Sequence, residues 1–280
     1  MSLKKPVGLI AGNLKLPILT AQKLRHEGSS IVVVGLKGET EPQIKELADF
    51  YLELPLGQLR PMADFFREHG AQKICMVGGV SRETVTSGYE PDEAAFSIME
   101  KLDNFQTDAI LRAVAEWLEE QGLYLVSVAE ICPDLLVKPG LLTQTAPSPA
   151  LLEDLRLAFK VAKELGRLDV GQTVVVSDKI TVALEGADGT DATIRRGAAL
   201  SRKPIAVAKV FKPKQDNRLD LPVIGLETIA VLVECRAAGL ALDAKGVIML
   251  DPKDCLDLAN QNALAIVALE ELPSIADGQR

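Results

Sequence analysis

The first half of the chain alternates between short apolar runs and amphipathic stretches, and this alternation constrains the fold more than any other feature. Residues 7–11 and 30–35 have the pattern of buried strands, and residues 17–28 between them have helical periodicity that ends at Gly28. The pattern continues with strands at 51–57, 73–79 and 123–128 and with helices at 59–69 and 92–121. Repeated strand, helix and strand predict a parallel sheet covered on both faces. We therefore expect residues 1–133 to form a Rossmann-like domain.

The composition changes after this half. Residues 133–149 contain four prolines and no clear period, which predicts a linker at 134–149. Ser148 followed by Pro149 indicates a helix start, and the amphipathic run behind it ends near Gly166. A hairpin at 172–186, strands at 204–211, 246–250 and 264–269, and helices at 226–238 and 252–261 follow. The fold class is α/β, with a C-terminal mixed α/β domain at 150–280.

Bulk composition excludes several classes of protein. A net charge of −8 over 280 residues disfavours a nucleic-acid partner, whose phosphates need a basic surface. No apolar run approaches the roughly 18 residues of a spanning helix, and the four cysteines form no CxxC pair, as expected for a cytoplasmic protein. His26 and His69 lie outside any motif, so they cannot build a histidine-rich dinuclear phosphoesterase centre.

Two glycine turns follow predicted strands, the position at which α/β sheets bind ligands. The first turn contains Gly12 and Asn13 but lacks the second and third glycines of a dinucleotide fingerprint, which argues against an NAD enzyme. The second turn combines Gly78 and Gly79 with Ser81 and Arg82, which suit a phosphate or a sugar. Both turns are compatible with two alternatives: anion binding, or tight turns with a capped helix start.

Two charged segments lie in the second half. Residues 184–196 combine carboxylates with Thr190, Asp191 and two arginines, which suits a divalent cation beside phosphate or, alternatively, a capped helix start. Residues 211–225 place Lys212, Arg218 and Asp220 directly after an apolar strand. Cations and a carboxylate are what phosphoanhydride cleavage needs, although a solvated loop of salt bridges, each contributing at most about 1 kcal/mol, is the alternative.

Six motifs in this order resemble the LpxI-type UDP-2,3-diacylglucosamine pyrophosphatases of lipid A biosynthesis, which are unrelated to the metallophosphoesterases that do the same reaction. The motifs are GLIAG (8–12), GGVSR (78–82), DAILRAV (108–114), LGRLDVGQ (165–172), EGADGTDATIRR (185–196) and KPKQDNRLDLPVIG (212–225). They cover both predicted domains. The sequence departs from the family pattern at Asn13, Leu14, Thr107 and Asp188.

The resemblance implies hydrolysis of UDP-2,3-diacylglucosamine to UMP and 2,3-diacylglucosamine 1-phosphate with Mg²⁺, in a cleft between the two domains. By motif position Asp220 is the catalytic residue, as metal ligand or water activator, with Asp191 as a second metal ligand. Lys209, Lys212 and Arg218 would neutralise charge. The expected substrate contacts are Gly12, Asn13, Gly78, Gly79, Ser81, Arg82, Asp108, Gln172, Thr190, Asp191 and Lys209.

Further expectations concern partners. A lipid substrate implies transient contact with the inner membrane, and a homodimer is compatible with the resemblance. The alternative function is a non-catalytic regulator that binds a nucleotide sugar or a lipid on the same two-domain scaffold. Such a regulator would hold its ligand without turnover.

Overall fold

The computed structural model describes residues 4–213 and 215–270 of the chain, which divides into two compact units. The first unit contains the residues up to Pro133 together with the segment Gln215–Asp220. The second unit contains Asp134–Lys214 and the residues from Leu221 onwards. The chain therefore returns to the first unit for one short segment after it has entered the second.

The first unit is a parallel α/β domain, as predicted. Its elements are β1 (Lys4–Ala11), α1 (Leu16–His26), β2 (Ser29–Leu36), β3 (Phe50–Leu54), α2 (Leu59–Glu68), β4 (Lys73–Val77), α3 (Arg82–Ser87), α4 (Glu93–Glu100), α5 (Thr107–Glu120), β5 (Tyr124–Leu125) and α6 (Val128–Ile131). The sheet order is β3-β2-β1-β4-β5, and each neighbouring pair is parallel. The connections reverse direction between β1 and β4, which opens a crevice at their carboxyl ends.

Three turns at this carboxyl edge are tied together by one buried carboxylate, that of Glu39, which follows β2 and is 8% exposed. Asn13 Nδ2, after β1, donates to Glu39 Oε2 over 2.6 Å. The N–H of Ser81, after β4, donates to Glu39 Oε1 over 3.1 Å, and the Ser81 hydroxyl donates to the same oxygen. Burial raises the pKa of the Glu39 carboxyl, but hydrogen bonds from Ser81, Thr84 and Asn13 outweigh burial and leave the pKa below its ordinary value.

The second unit is a mixed α/β domain, also as predicted. Its elements are β6 (Gly140–Leu141), α7 (Pro149–Arg167), β7 (Thr173–Ser177), β8 (Ile180–Leu184), α8 (Thr190–Leu200), β9 (Ala206–Lys209), β10 (Val223–Ile224), α9 (Leu226–Glu234), β11 (Gly239–Asp243), β12 (Ile248–Met249), α10 (Pro252–Gln261) and β13 (Ala265–Leu269). Six strands form a sheet in the order β6-β13-β11-β9-β7-β8. Within it β9, β11 and β13 are parallel, whereas β6, β7 and β8 join by antiparallel pairs. Strands β10 and β12 form a separate parallel pair.

Helices cover both faces of this second sheet because successive side chains of a strand point to opposite faces. Val174 and Ala208 pack with the residues of α7 on one face. Val175 and Val207 pack with residues of α8, α9 and α10 on the other. None of the helices in the described ranges combines the length and the apolar composition that crossing a membrane requires.

The second unit differs from the prediction in three places. The helix expected at 226–238 ends at Glu234, and Gly239–Asp243 is a fully buried strand, β11, that we did not predict. The strand expected at 246–250 contributes only β12, which lies in the small two-stranded sheet. Residues 134–149, expected as a linker, belong to the second unit, and β6 within them pairs with β13.

The second unit buries an ion pair between Lys163 of α7 and Asp243 at the end of β11, and both side chains are less than a tenth exposed. Lys163 Nζ also donates to the backbone oxygen of Phe211 over 3.2 Å. The Phe211 N–H in turn donates to Asp243 Oδ2 over 3.2 Å. The pair therefore fixes Phe211, the point at which the chain leaves β9.

We expect Glu39→Gln to reduce the loss of stability in acid. Because the folded pKa of Glu39 lies below its ordinary value of 4.5, the ionised carboxylate stabilises the fold above that value. This contribution is lost as the pH falls through the lowered pKa. Thermal melts from about pH 7 to about pH 3 should show a lower Tm for the variant at neutral pH and a weaker pH dependence. Glu41→Gln removes an exposed carboxylate as the control, and equal behaviour of the two variants would contradict the role of Glu39.

We expect Lys163→Met to lower the free energy of unfolding by about 3–5 kcal/mol, because it leaves the buried Asp243 carboxylate without this cation. Lys253→Met is the matched control, since Lys253 is 88% exposed in its pair with Asp257 and should change the free energy by less than about 1 kcal/mol. Guanidinium unfolding curves measure both. Similar midpoints for the two variants would show that the buried pair adds nothing beyond an exposed one.

Candidate functional site

The glycine turns after β1 and β4 lie against each other at the carboxyl edge of the first sheet. The Asn13 N–H donates to Gly79 O over 2.8 Å, and the Gly12 N–H donates to Val77 O over 2.8 Å. A Cβ atom on Gly12 would lie 2.1 Å from Gly79 O, so any other residue would force the turns apart. Gly78 has a φ of 91°, and a Cβ atom there would lie 2.6 Å from Asn13 O. The structure brings these four predicted residues together.

The polar side chains of these turns bond within the unit. Asn13 donates to Glu39, and its Oδ1 accepts from the Gly79 N–H over 3.2 Å. Ser81 caps α3, because its Oγ accepts from the Thr84 N–H over 3.2 Å. Asn13 and Ser81 therefore shape the turns in this structure. The Arg82 side chain lies outside the part of the chain that the structure describes.

A second group of predicted residues lies where the segment 215–220 meets α5. Arg218 Nε donates to both carboxylate oxygens of Asp216 over 3.1 Å, and its Nη2 donates to Asp216 Oδ2 over 2.7 Å. Arg218 Nη1 donates to Glu119 Oε1 of α5 over 2.7 Å. The hydrogen bonds from Arg218 hold the pKa of Asp216 below its ordinary value. Arg218 is thus clamped by two carboxylates.

Asp220 ends this anchored segment. Two contacts fix the segment upstream of it: the Ser127 hydroxyl, just after β5, donates to Asn217 O over 2.6 Å, and Leu219 is only 6% exposed in the core of the first unit. Asp220 itself is exposed, and its Oδ2 accepts from Gln215 Nε2 over 2.8 Å. An accessible carboxylate on a fixed segment can bind a cation or accept a proton.

Three buried side-chain oxygens have no hydrogen-bond partner among the described residues: Asp108 Oδ1, Gln172 Oε1 and Gln215 Oε1. Asp108 lies in the first turn of α5, and its other oxygen accepts from Arg112 Nη2 over 2.6 Å. Buried polar atoms are almost always bonded to protein or to water. Because all three are oxygens, they can accept from N–H or O–H groups of water or of a ligand, or bind a cation.

The second unit gathers another part of the predicted site around the carboxylate of Glu185, which is 7% exposed. The Thr190 hydroxyl donates to Glu185 Oε1 over 2.8 Å, and the Gln172 N–H donates to Glu185 Oε2 over 2.9 Å. Asp191 follows Thr190 in the first turn of α8, and its Oδ1 accepts from the Thr228 hydroxyl at 3.5 Å. Glu185 therefore holds Gln172 and the start of α8 together.

The two predicted lysines of this unit are both engaged. Lys209 is 7% exposed, and its Nζ donates to Val223 O over 2.9 Å. Lys212 Nζ donates to Asp169 Oδ1 over 2.7 Å. Both ammonium groups therefore bond within the second unit. The ion pair of Lys212 with Asp169 is partly accessible.

Sequence reasoning missed Glu39 and the partners of the returning segment. An acidic residue close behind the second strand was visible, but its contacts lie 26 and 42 positions away along the chain. The predicted ligands Asp220 and Asp191 belong to different units. Within the described ranges, no group of three or more acidic, histidine or cysteine side chains is arranged to hold a metal ion.

Solved structures resemble this chain only weakly. The biotin carboxylase domain of the 2-oxoglutarate carboxylase from Hydrogenobacter thermophilus is 15% identical, with a TM-score of 0.27, over 64% of this chain and 36% of that one. N5-carboxyaminoimidazole synthetase from Staphylococcus aureus is 13% identical, with a TM-score of 0.25, over 64% of this chain and 39% of that one. The chain spans little more than a third of either structure.

Both halves of the chain match models of one protein family. Residues 6–135 match the model of the LpxI N-terminal domain, and residues 138–267 match the model of the LpxI C-terminal domain. The UDP-2,3-diacylglucosamine pyrophosphatase LpxI of Caulobacter vibrioides is 28% identical over 277 residues, which is 95% of this chain and 98% of that protein. The chain therefore belongs to the LpxI family.

Proposed function

We propose that this protein hydrolyses the pyrophosphate bond of UDP-2,3-diacylglucosamine and releases UMP and 2,3-diacylglucosamine 1-phosphate. The observation that carries the proposal is the match to both LpxI domains and, over 95% of the chain, to a relative that bears the name of this activity. The protein is accordingly a hydrolase, and its substrate is a nucleotide sugar linked to lipid.

Asp220 is the residue that we assign to the reaction. In hydrolysis, a water oxygen forms a bond to one phosphorus, the P–O–P bridge breaks, and the water loses a proton. An exposed carboxylate on a fixed segment suits either acceptance of that proton or binding of a cation beside the phosphates. Asp216 suits neither role as well, because Arg218 already occupies both of its oxygens.

The cations divide into two roles. Charge develops on the pyrophosphate as its bridge breaks, and ammonium groups stabilise that charge. We assign this role to Lys212, which meets the single, partly accessible carboxylate of Asp169. Lys209 is 7% exposed and donates to Val223 O, so its part in neutralising charge stays a prediction. Arg218 already meets two carboxylates, so its charge is balanced and its geometry is committed. We therefore assign Arg218 to positioning of the segment that carries Asp220.

Mg²⁺ is the cofactor that we propose. Mg²⁺ commonly binds through one or two carboxylates together with waters and substrate phosphates, so a site needs no cage of protein ligands. Asp220 fits this mode because its carboxylate is exposed, whereas Asp191 belongs to the second unit and stays a predicted ligand. When bound, Mg²⁺ would supply neutralisation of phosphate charge.

The remaining predicted residues have different roles, which follow from their contacts in the structure. Gly12, Gly78 and Gly79 allow the close approach of the two turns, which Asn13 and Ser81 stabilise. We assign Asp108 and Gln172 to donors of the substrate, such as hydroxyl or amide N–H groups, because their unpartnered oxygens are acceptors. The roles of Arg82 and Thr190 in substrate binding, contact with the inner membrane and a homodimer stay predictions.

The decisive experiment compares Asp220→Ala with the parent protein. We expect release of UMP from UDP-2,3-diacylglucosamine to fall by about 10²-fold or more, because the reaction loses its base or its cation ligand. Asp257→Ala, an exposed carboxylate of α10, is the matched control and should keep the parental rate. Asp216→Asn should keep a rate within about tenfold of the parent, since its carboxylate only clamps Arg218.

Three outcomes would change the assignment. Absence of UMP with the parent protein would remove the proposed function, and binding of the substrate without turnover would favour the regulator instead. A parental rate for folded Asp220→Ala would remove the residue assignment. A larger loss for Asp216→Asn than for Asp220→Ala would exchange the roles of the two aspartates.

Removal of metal tests the cofactor separately. We expect chelation with EDTA to abolish release of UMP and added Mg²⁺ to restore it, because uncompensated charge on the pyrophosphate repels the attacking oxygen. The rate is followed by chromatography of UMP before and after the addition. A full rate in excess EDTA would contradict the proposal of a metal and would leave Asp220 as a proton acceptor.

A further inference from the structure

Leu14 combines an unfavourable backbone with an unfavourable environment for its side chain. Its φ is 67°, in the left-handed region that residues with a Cβ atom other than Asn and Asp generally avoid. Its side chain is 62% exposed, so this leucine gains little from packing. Neither the conformation of the turn nor burial accounts for a leucine at this position, and strain of this kind concentrates at functional sites.

The position of Leu14 suggests what the side chain meets. Leu14 directly follows Asn13, which bridges Gly79, and Val80 directly follows Gly79 and is 38% exposed. An exposed apolar residue therefore follows each half of the bridge between the two turns. This bridge lies at the carboxyl ends of β1 and β4, where the connections of the sheet reverse and α/β proteins bind ligands.

We propose that Leu14 contacts an acyl chain of the substrate and that this contact strengthens binding of long-chain substrates to this protein. The inference rests on the proposed function, in which the substrate carries two acyl chains. Burial of an exposed leucine is most favourable when an apolar group covers it, and the acyl chains are the apolar part of that substrate. The contact exists only in the complex, so the free protein keeps the strain.

The test compares three variants on two substrates, UDP-2,3-diacylglucosamine with long acyl chains and the same compound with acetyl groups. We expect Leu14→Gly to raise KM for the long-chain substrate by about tenfold and to leave KM for the acetyl substrate unchanged. Leu14→Met keeps an apolar side chain of similar volume and should keep both values within about twofold. Ala263→Gly relieves another exposed left-handed residue, with φ 51°, and should change neither value.

Thermal melts exclude a trivial loss of structure. Glycine adopts positive φ without strain, so neither Leu14→Gly nor Ala263→Gly should melt below the parent protein. An unchanged KM for the long-chain substrate in Leu14→Gly would overturn the inference alone. An equal rise for both substrates would also overturn it, because it would mean that Leu14 only shapes the turn. Absence of UMP from the parent protein with either substrate would remove the proposed function and this inference together.

Discussion

Leu219 and Arg218 together hold in place the segment 215–220, on which the proposed chemistry depends. The Arg218 guanidinium meets Asp216 within the segment and Glu119 on α5, and the side chains of this cluster are about a third exposed. Ion pairs this accessible contribute at most about 1 kcal/mol each. Burial of Leu219 contributes more, about 1.5–3 kcal/mol. The leucine therefore supplies most of the attachment, and the guanidinium fork fixes the direction in which the chain continues to Asp220.

Local signals predicted much of the fold. Alternation of strands and helices predicted the parallel sheet, because crossovers between parallel strands need a helix. Ser148 and Pro149 predicted the start of α7, and the Ser148 hydroxyl does accept from the Leu151 N–H over 3.2 Å. Asp178 and Lys179 form the hairpin turn with φ of 53° and 63°, as two-residue turns between twisted strands require. Each of these signals lies within a few residues of the structure that it specifies.

Features that depend on distant contacts escaped prediction. The run GLALD at 239–243 is short and has no β-branched residue, so only its position between β9 and β13 makes it a strand. Nothing in KPKQDNRLDLP marks 215–220 as part of the first unit, since Ser127 lies 90 positions from its partner Asn217. The structural role of Glu39 likewise depends on hydrogen bonds to turns that lie far from it along the chain. The resemblance identified the candidate residues. It could not distinguish those that stabilise the turns from those whose oxygens have no hydrogen-bond partner among the described residues.

The unpartnered oxygens refine how substrate recognition divides between residues. A buried acceptor without a donor costs about 1–3 kcal/mol, so Asp108, Gln172 and Gln215 each favour a bound N–H or O–H group. Phosphate oxygens ionised at neutral pH are acceptors and cannot serve. The nucleotide and sugar of the proposed substrate offer donors, whereas its pyrophosphate needs cations such as the lysines or Mg²⁺. In the proposed function, recognition of the sugar or base and neutralisation of the phosphates would thus fall to different residues.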